Sequence, residues 1–462
     1  MIYDFEHAAI RPSSHLICQP RTVDRGLRTR HLVQRIVLVL GLFVTASAFA
    51  DSTNNWPALT LADAQTQALG HHPQIAAANY RALAAQEAVT ETRAAFFPQA
   101  NIFADAVGAN QEGTRILAGG LNNPSVYDRG AGGIQVSQLL TDFGRTANFT
   151  ASSKSQARAE DQNANATREQ VLLQVDTSYF GALAAQAVLR VAQQTFDTRQ
   201  LLLDQVTALA TNKLRSALDV SFAQVQLQQA HLLLENSQND AAAAMASLSA
   251  ALGYGELHQF QLIEASPPDH AGTNDVTDLI QLALSGRPEL LSLRNERDAA
   301  SRYARGERDS RLPTIEAIGA AGDAPAHDSH LPDDYAVGGV QLELPIFAGG
   351  RYVAQQREAQ LKAEADDELL TAAENNVIRD VRIAWLDFNN AKEQLGTTEQ
   401  LAANADEAYT LAQARYKTGI SSIVELSEAQ LNLTSAQIAE ANAQYGVYVQ
   451  QANLNYQIGA MR

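Results

Sequence analysis

The chain has 462 residues, with 34 Lys and Arg against 51 Asp and Glu, a net charge of −17. A chain this acidic, with no basic patch in its body, repels nucleic acid, which sets that partner class aside. Apolar residues make up 46% but aromatics only 6%, a composition that suits long packed helices better than an aromatic globular core.

The N-terminus reads as an export signal over residues 1–50. Arg21, Arg25, Arg28, Arg30 and Arg35 precede a short apolar run, Ile36 to Val44, and "ASAFA" places Ala48 and Ala50 at a small-x-small cleavage site before Asp51. The apolar run is about half the ~20 residues a bilayer-spanning helix needs. Residues 1–50 carry six arginines and three acids, so the remainder carries −20 against −17 for the whole chain. The single cysteine, Cys18, lies in this segment, which leaves no thiol for a disulfide, a thiolate metal site or a nucleophile. Asp51 at the expected new N-terminus gives no sign of a lipid anchor. No later apolar run has the length of a spanning helix, so the exported part is either soluble or crosses a membrane as β-strands.

The rest of the chain is a duplication. At an offset of 215, Pro73 falls on Pro288 and Pro98 on Pro313. From Gly132–Gly133 onward the offset is 206, which superposes Gly338–Gly339, then Gly144 on Gly350, Ala223–Gln224 on Ala429–Gln430, and Gly253 on Gly459. The difference falls between Pro98 and Gly132, where a longer loop is expected in the first copy. The domains read as repeats over 51–253 and 275–460, joined by a segment over 254–274.

Each repeat opens with a capped helix, at Thr60 with Asp63 and at Asp275 with Asp278. A break at "GHHP" and "SGRP" starts a second helix on Pro73 or Pro288, and Pro98 or Pro313 stops it. His71 and His72 are expected to be turn residues rather than metal ligands. Strand-like stretches follow. "IQVSQLL" sets Ile134 and Val136 against Gln135 and Ser137, and "VQLELPIF" sets Val340, Leu342, Leu344 and Ile346 against Gln341 and Glu343. Such alternation fits either a transmembrane barrel or a half-buried soluble sheet. Four strands per chain cannot close a barrel, which takes about eight.

A very long helix follows, from Gly144 to about Thr211 and from Gly350 to about Lys417. Val175, Ala182, Leu189, Phe196 and Leu203 keep a seven-residue spacing, as do Val381, Phe388, Leu395, Ala402, Tyr409 and Tyr416. Leu172, Tyr179, Ile378 and Trp385 supply the second seam, the coiled-coil pattern. A rod of this length reaches on the order of 100 Å. A shorter helix then returns, with Leu426, Leu433, Val447 and Leu454 on its seam. The bends are "NKLRSALDVSFAQ" and "TGISSIVELSEAQ", the second marked by Gly419. The second bend alone carries an acid pair, Glu425 and Glu428. At the offset of 206 the first places Asp219 against Glu425 and Phe222 against Glu428, so the two bends are expected to differ.

In "LADAQTQALGHHPQIAAANY", "AAFFPQANI", "QLLTDFGR" and above all "ARYKTGISSIVELSEAQLNLTSAQIAEANAQYGVYVQQANLNYQIG", the chain resembles the TolC-like outer-membrane efflux protein family, over nearly all of residues 58–460. The resemblance implies a mainly α fold carrying a membrane β-barrel. Three chains would close one twelve-stranded barrel, continued by a periplasmic α-helical coiled-coil cylinder with a belt that includes residues 254–274. It implies a passive exit duct in the outer-membrane lipid of a Gram-negative cell, serving efflux or type I secretion. The duct would dock a periplasmic adaptor and an inner-membrane RND or ABC transporter. It also implies that Glu425 and Glu428 line the closed periplasmic entrance, and that Asp219 hydrogen-bonds Tyr416 to hold it shut. Family members can carry an arginine two residues after the turn glycine; Ser421 stands there, so a salt-bridge latch from that position is absent.

No nucleotide-binding glycine pattern, G-x-S-x-G elbow or H-E-x-x-H occurs, so no enzyme and no cofactor are expected. The loop holding His327, His330, Asp333 and Asp334 has ligand types but falls where an outward barrel loop is expected, and no metal is assigned to it. The competing reading is a soluble periplasmic coiled-coil scaffold.

Overall fold

A computed structural model of the chain describes residues 56–107, 114–115, 125–126, 129–264, 275–326 and 333–461. The expected export signal lies outside these residues. In chain order the first repeat comprises β1 (Ala58–Leu59), α1 (Leu61–His71), α2 (Pro73–Ala94), β2 (Gln99–Val107), β3 (Thr114–Arg115), β4 (Ser125–Val126), β5 (Arg129–Thr141), α3 (Arg145–Thr211) and α4 (Ala217–Ala251). The joining segment carries β6 (Gln261–Leu262), and the second repeat comprises α5 (Val276–Gly286), α6 (Pro288–Asp309), β7 (Thr314–Ala326), β8 (Asp334–Glu343), α7 (Arg351–Lys417) and α8 (Ile423–Gln457). Corresponding helices of the two repeats have equal lengths of 11, 22, 67 and 35 residues.

Local chemistry sets the ends. The Thr60 hydroxyl accepts from the Asp63 amide at 3.1 Å, and the Asp275 carboxylate accepts from the Thr277 amide at 2.8 Å. Pro73 and Pro288 occupy the first turns of α2 and α6. His72 is a turn residue as expected; its Nδ1 accepts from the Gln74 amide.

The four long strands form one antiparallel sheet in the order β2-β5-β7-β8, so β2 and β8 are its edges. The last strand is shorter than the alternation suggests. It ends at Glu343, and Leu344 and Ile346 lie beyond it, because Pro345 brings no N–H to the ladder. The expected long loop of the first copy carries a small ladder, β3 with β4. Beside the sheet the helices lie in the order α2, α3, α6, α7; farther away the order is α4, α3, α8, α7.

Val175, Ala182, Leu172 and Tyr179 on α3, and Val381, Ala402 and Tyr416 on α7, are buried, as are Leu426, Leu433, Val447 and Leu454 on α8. Phe180 and Leu183, outside the heptad pattern, are buried too. They belong to a core that α3 shares with α1 and the parallel β1–β6 pair. That pair is tied to α3 by Tyr179, whose hydroxyl lies 2.8 Å from the Leu59 carbonyl and 2.6 Å from that of Ile263.

In the same core, Asp176 of α3 is almost fully buried and accepts from Gln65 Nε2 of α1 at 2.7 Å. Burial lifts its carboxyl to about 6, with the Gln65 bond opposing the rise. A raised folded pKa adds stability below the unfolded value, and that stability is lost as pH rises through about 6. Asp176→Asn is therefore expected to slow hydrogen exchange of α1 amides at pH 7.5 relative to wild type, and to flatten the pH dependence between pH 4 and 7. The gain at pH 7.5 is on the order of 2–3 kcal/mol. An unchanged pH profile of exchange would show that Asp176 is not the titrating group.

Candidate functional site

The two bends come together at the end of the helices farthest from the sheet. At the second, α7 closes through a Schellman motif. The Gly419 amide donates to the Tyr416 carbonyl at 3.0 Å and the Ile420 amide to the Arg415 carbonyl at 2.9 Å, with Gly419 at φ +75°. The first bend repeats these bonds, from Lys213 to Ala210 and Leu214 to Leu209, each at 2.9 Å. Lys213 therefore occupies the glycine position at φ +58°. A side chain there costs about 1 kcal/mol. Lys213→Gly is expected to raise stability against denaturant by about that amount; a loss of stability would mean that the lysine side chain has a holding role.

After each bend a serine caps the returning helix. The Ser216 hydroxyl accepts from the Asp219 amide at 3.2 Å, and the Ser422 hydroxyl from the Glu425 amide at 3.3 Å. Asp219 and Glu425 thus hold the same third position of their helices, as the offset of 206 places them. Their carboxylates then diverge. Asp219 completes a capping box by accepting from the Ser216 amide at 3.1 Å. Glu425 reaches back to Arg415, with Nε 3.5 Å from its carboxylate, both partners being largely exposed. Glu428 is exposed and makes no ion pair among the described residues.

The expected hydrogen bond between Asp219 and Tyr416 is not formed within the chain. The Asp219 carboxylate is committed to its capping box, and the buried Tyr416 hydroxyl has no hydrogen-bond partner. Burial pushes the Tyr416 phenol up, Arg215 pulls it down, and Asp219 adds to the rise. Its true neighbour is Arg215, whose guanidinium lies 4.5 Å from the ring centroid and donates to the Tyr416 carbonyl at 3.4 Å. Arg215 and Ser421 are equivalent positions at the offset of 206. The arginine missing from the second bend thus stands in the first and crosses to α7. The offset of 206 could have revealed it. Tyr416 also packs with Leu202, Val206, Ala223, Ile423 and Leu426 in an apolar cluster that joins both bends.

Among the described residues no group of His, Cys, Asp and Glu could hold a metal ion. His327 and His330 lie outside them. No described helix is long and apolar enough to cross a membrane. The tip presents two exposed acids one helical turn apart, beside a buried apolar cluster and an arginine–tyrosine stack.

Residues 65–254 and 279–460 match the outer membrane efflux protein family. The outer membrane protein TolC of Vibrio cholerae is 26% identical over 436 residues, covering 92% of this chain and 95% of that protein. The alkaline protease secretion protein AprF of Pseudomonas aeruginosa is 25% identical over 428 residues, covering 87% and 85%. A crystal structure of a membrane protein from Pseudomonas aeruginosa superposes with a TM-score of 0.76 at 21% identity, covering 86% of this chain and 90% of that one, which shows a shared fold. With a family match over both repeats and a mainly helical fold of the same kind, the chain belongs to the outer membrane efflux protein family and is an outer-membrane exit channel.

Proposed function

We propose that three copies of the chain close one twelve-stranded barrel in the outer membrane, continued by a periplasmic cylinder of helices whose narrow end is the tip described above. The observation that carries this is the four-stranded sheet. Its register puts Ile102, Ile134, Val136, Val340 and Leu342 on one face, all exposed, with Ile102 at 84% and Val340 at 68%. The other face holds Asn101, Asp105, Gln135, Ser137, Glu316, Gln341 and Glu343, with Leu139, Ile318 and Val337 among them. Exposed Phe96, Phe97, Phe143 and Phe347 cluster where the sheet meets the helices, as an interfacial aromatic girdle does. A bare apolar face with two free edges is satisfied in lipid only by edge-to-edge closure with further copies.

The outer helices are likewise apolar along unpartnered faces. Leu218, Phe222, Val225 and Leu232 of α4 and Leu361, Leu369, Leu401 and Leu411 of α7 are exposed, and these helices lie at the two ends of the helical layer. Glu425 and Glu428 then form two rings of three carboxylates at the entrance, which favour cations over anions. The duct is passive. A periplasmic adaptor and an inner-membrane pump, of the RND or ABC class, open it and drive export; the resemblance to a protease secretion protein supports the secretion arm as well as efflux. The experiment is extraction and reconstitution. The protein is expected to require detergent, to migrate as a heat-sensitive oligomer three times the mass of the chain, and to form channels in planar bilayers. Release by osmotic shock as a monomer would establish the soluble scaffold instead.

A further inference from the structure

In the half of the molecule toward the tip, α3 and α8 form the main seam between the α3–α4 and α7–α8 hairpins. Above the apolar cluster around Tyr416 the seam turns polar. The hydroxyls of Thr195 and Thr434 lie 3.1 Å apart, and Ser427 and Gln430 of α8 are buried. Into this layer α3 inserts Arg199, which is 4% exposed. Its Nη1 donates to Ser427 Oγ at 3.3 Å and its Nη2 to the Ser427 carbonyl at 3.2 Å.

No carboxylate reaches Arg199 within ion-pair distance among the described residues. Burial pulls the guanidinium down to about 10, with Tyr409 of α7 opposing the fall, so it remains charged at neutral pH. Two long hydrogen bonds to neutral oxygens are what replaces its water. A buried cation without a counter-charge destabilises the packed arrangement that contains it. Parting α3 from α8 returns the guanidinium to water, so this cost falls on the closed seam alone.

We propose that Arg199 is a positioning residue that biases the α3–α8 seam toward parting and so sets how readily the duct opens. The proposal rests on the reading of the tip as a gate. It has a definite sign. A clamp acting through Ser427 would loosen when Arg199 is neutralised, whereas an uncompensated charge would let the seam tighten.

The test uses the full chain, with conductance in planar bilayers and hydrogen exchange of α8 amides over residues 426–437 measured on the same preparations. Arg199→Met, which keeps the length and loses the charge, is expected to lower mean conductance at least two-fold and to slow exchange at least five-fold. Arg199→Lys is expected to stay near wild type in both. Arg199→Leu is a second neutral replacement and carries the test if the Met variant misfolds. Higher conductance with faster exchange in the neutral variants would make Arg199 a clamp and overturn the proposal, as would no change in either. If the wild type forms no channels, the exit-duct reading fails by itself, and hydrogen exchange still decides whether Arg199 strains the seam.

Discussion

Replacing Glu425 and Glu428 together with glutamine is expected to lower the cation-over-anion permeability ratio of the reconstituted channel by roughly tenfold and to abolish block by multivalent cations. The magnitude follows from Coulomb's law: a carboxylate about 8 Å from an ion on the axis contributes about 0.5 kcal/mol at the dielectric of water. In the proposed trimer, two rings of three would supply several such contributions even after salt screening. The two acids are not equal. Arg415 partly neutralises Glu425, whereas Glu428 makes no ion pair among the described residues. Glu428→Gln alone is therefore expected to have the larger effect. The assignment fails if reversal potentials in a salt gradient are the same for wild type and the double variant.

Arg215→Ala is expected to raise conductance several-fold by releasing α7 from the first bend. The stack on Tyr416 and the bond to its carbonyl are the polar ties across the tip at this level. A cation–π contact that is partly desolvated is worth on the order of 1 kcal/mol, and in the proposed trimer three copies would act on one entrance. Arg215→Lys keeps the charge over the ring and is expected to lie between wild type and Ala. Thermal stability of the purified protein tests for a general structural loss, because the core around Phe180 contains none of these groups. An Arg215→Ala channel as tightly closed as wild type would remove Arg215 from the gate.

Much of this architecture is legible in the sequence because it is local or periodic. The helix starts follow Pro73 and Pro288, Ser216 and Ser422, whose effects act within a turn. The offsets of 215 and 206 reappear as the spacing between equivalent helices, Leu61 with Val276 and Arg145 with Arg351. The β1–β6 pair was not legible. Two residues per strand carry no periodicity, and the bonds that hold the pair come from Tyr179, more than eighty residues from either strand.

The site divides the same way. Glu425, Glu428 and Gly419 stand out in the sequence because spacing and a left-handed turn are properties of a few consecutive residues. The partner of Tyr416 did not, since Asp219 and Arg215 both lie in the opposite bend. The choice between them depends on which group is already satisfied locally. The capping box claims Asp219, and Arg215 is left to cross. Arg199 is the extreme case. In sequence it is one arginine on a long helix, indistinguishable from a solvated one.

The sequence by itself determined the duplication, the helices, the four long strands and the placing of the acid pair, because capping, turns and heptads are short-range physics. Only the tertiary structure decided which charges are paired, which are solvated and which are buried alone. Desolvation depends on what the second hairpin packs over each side chain, some two hundred residues away in the chain.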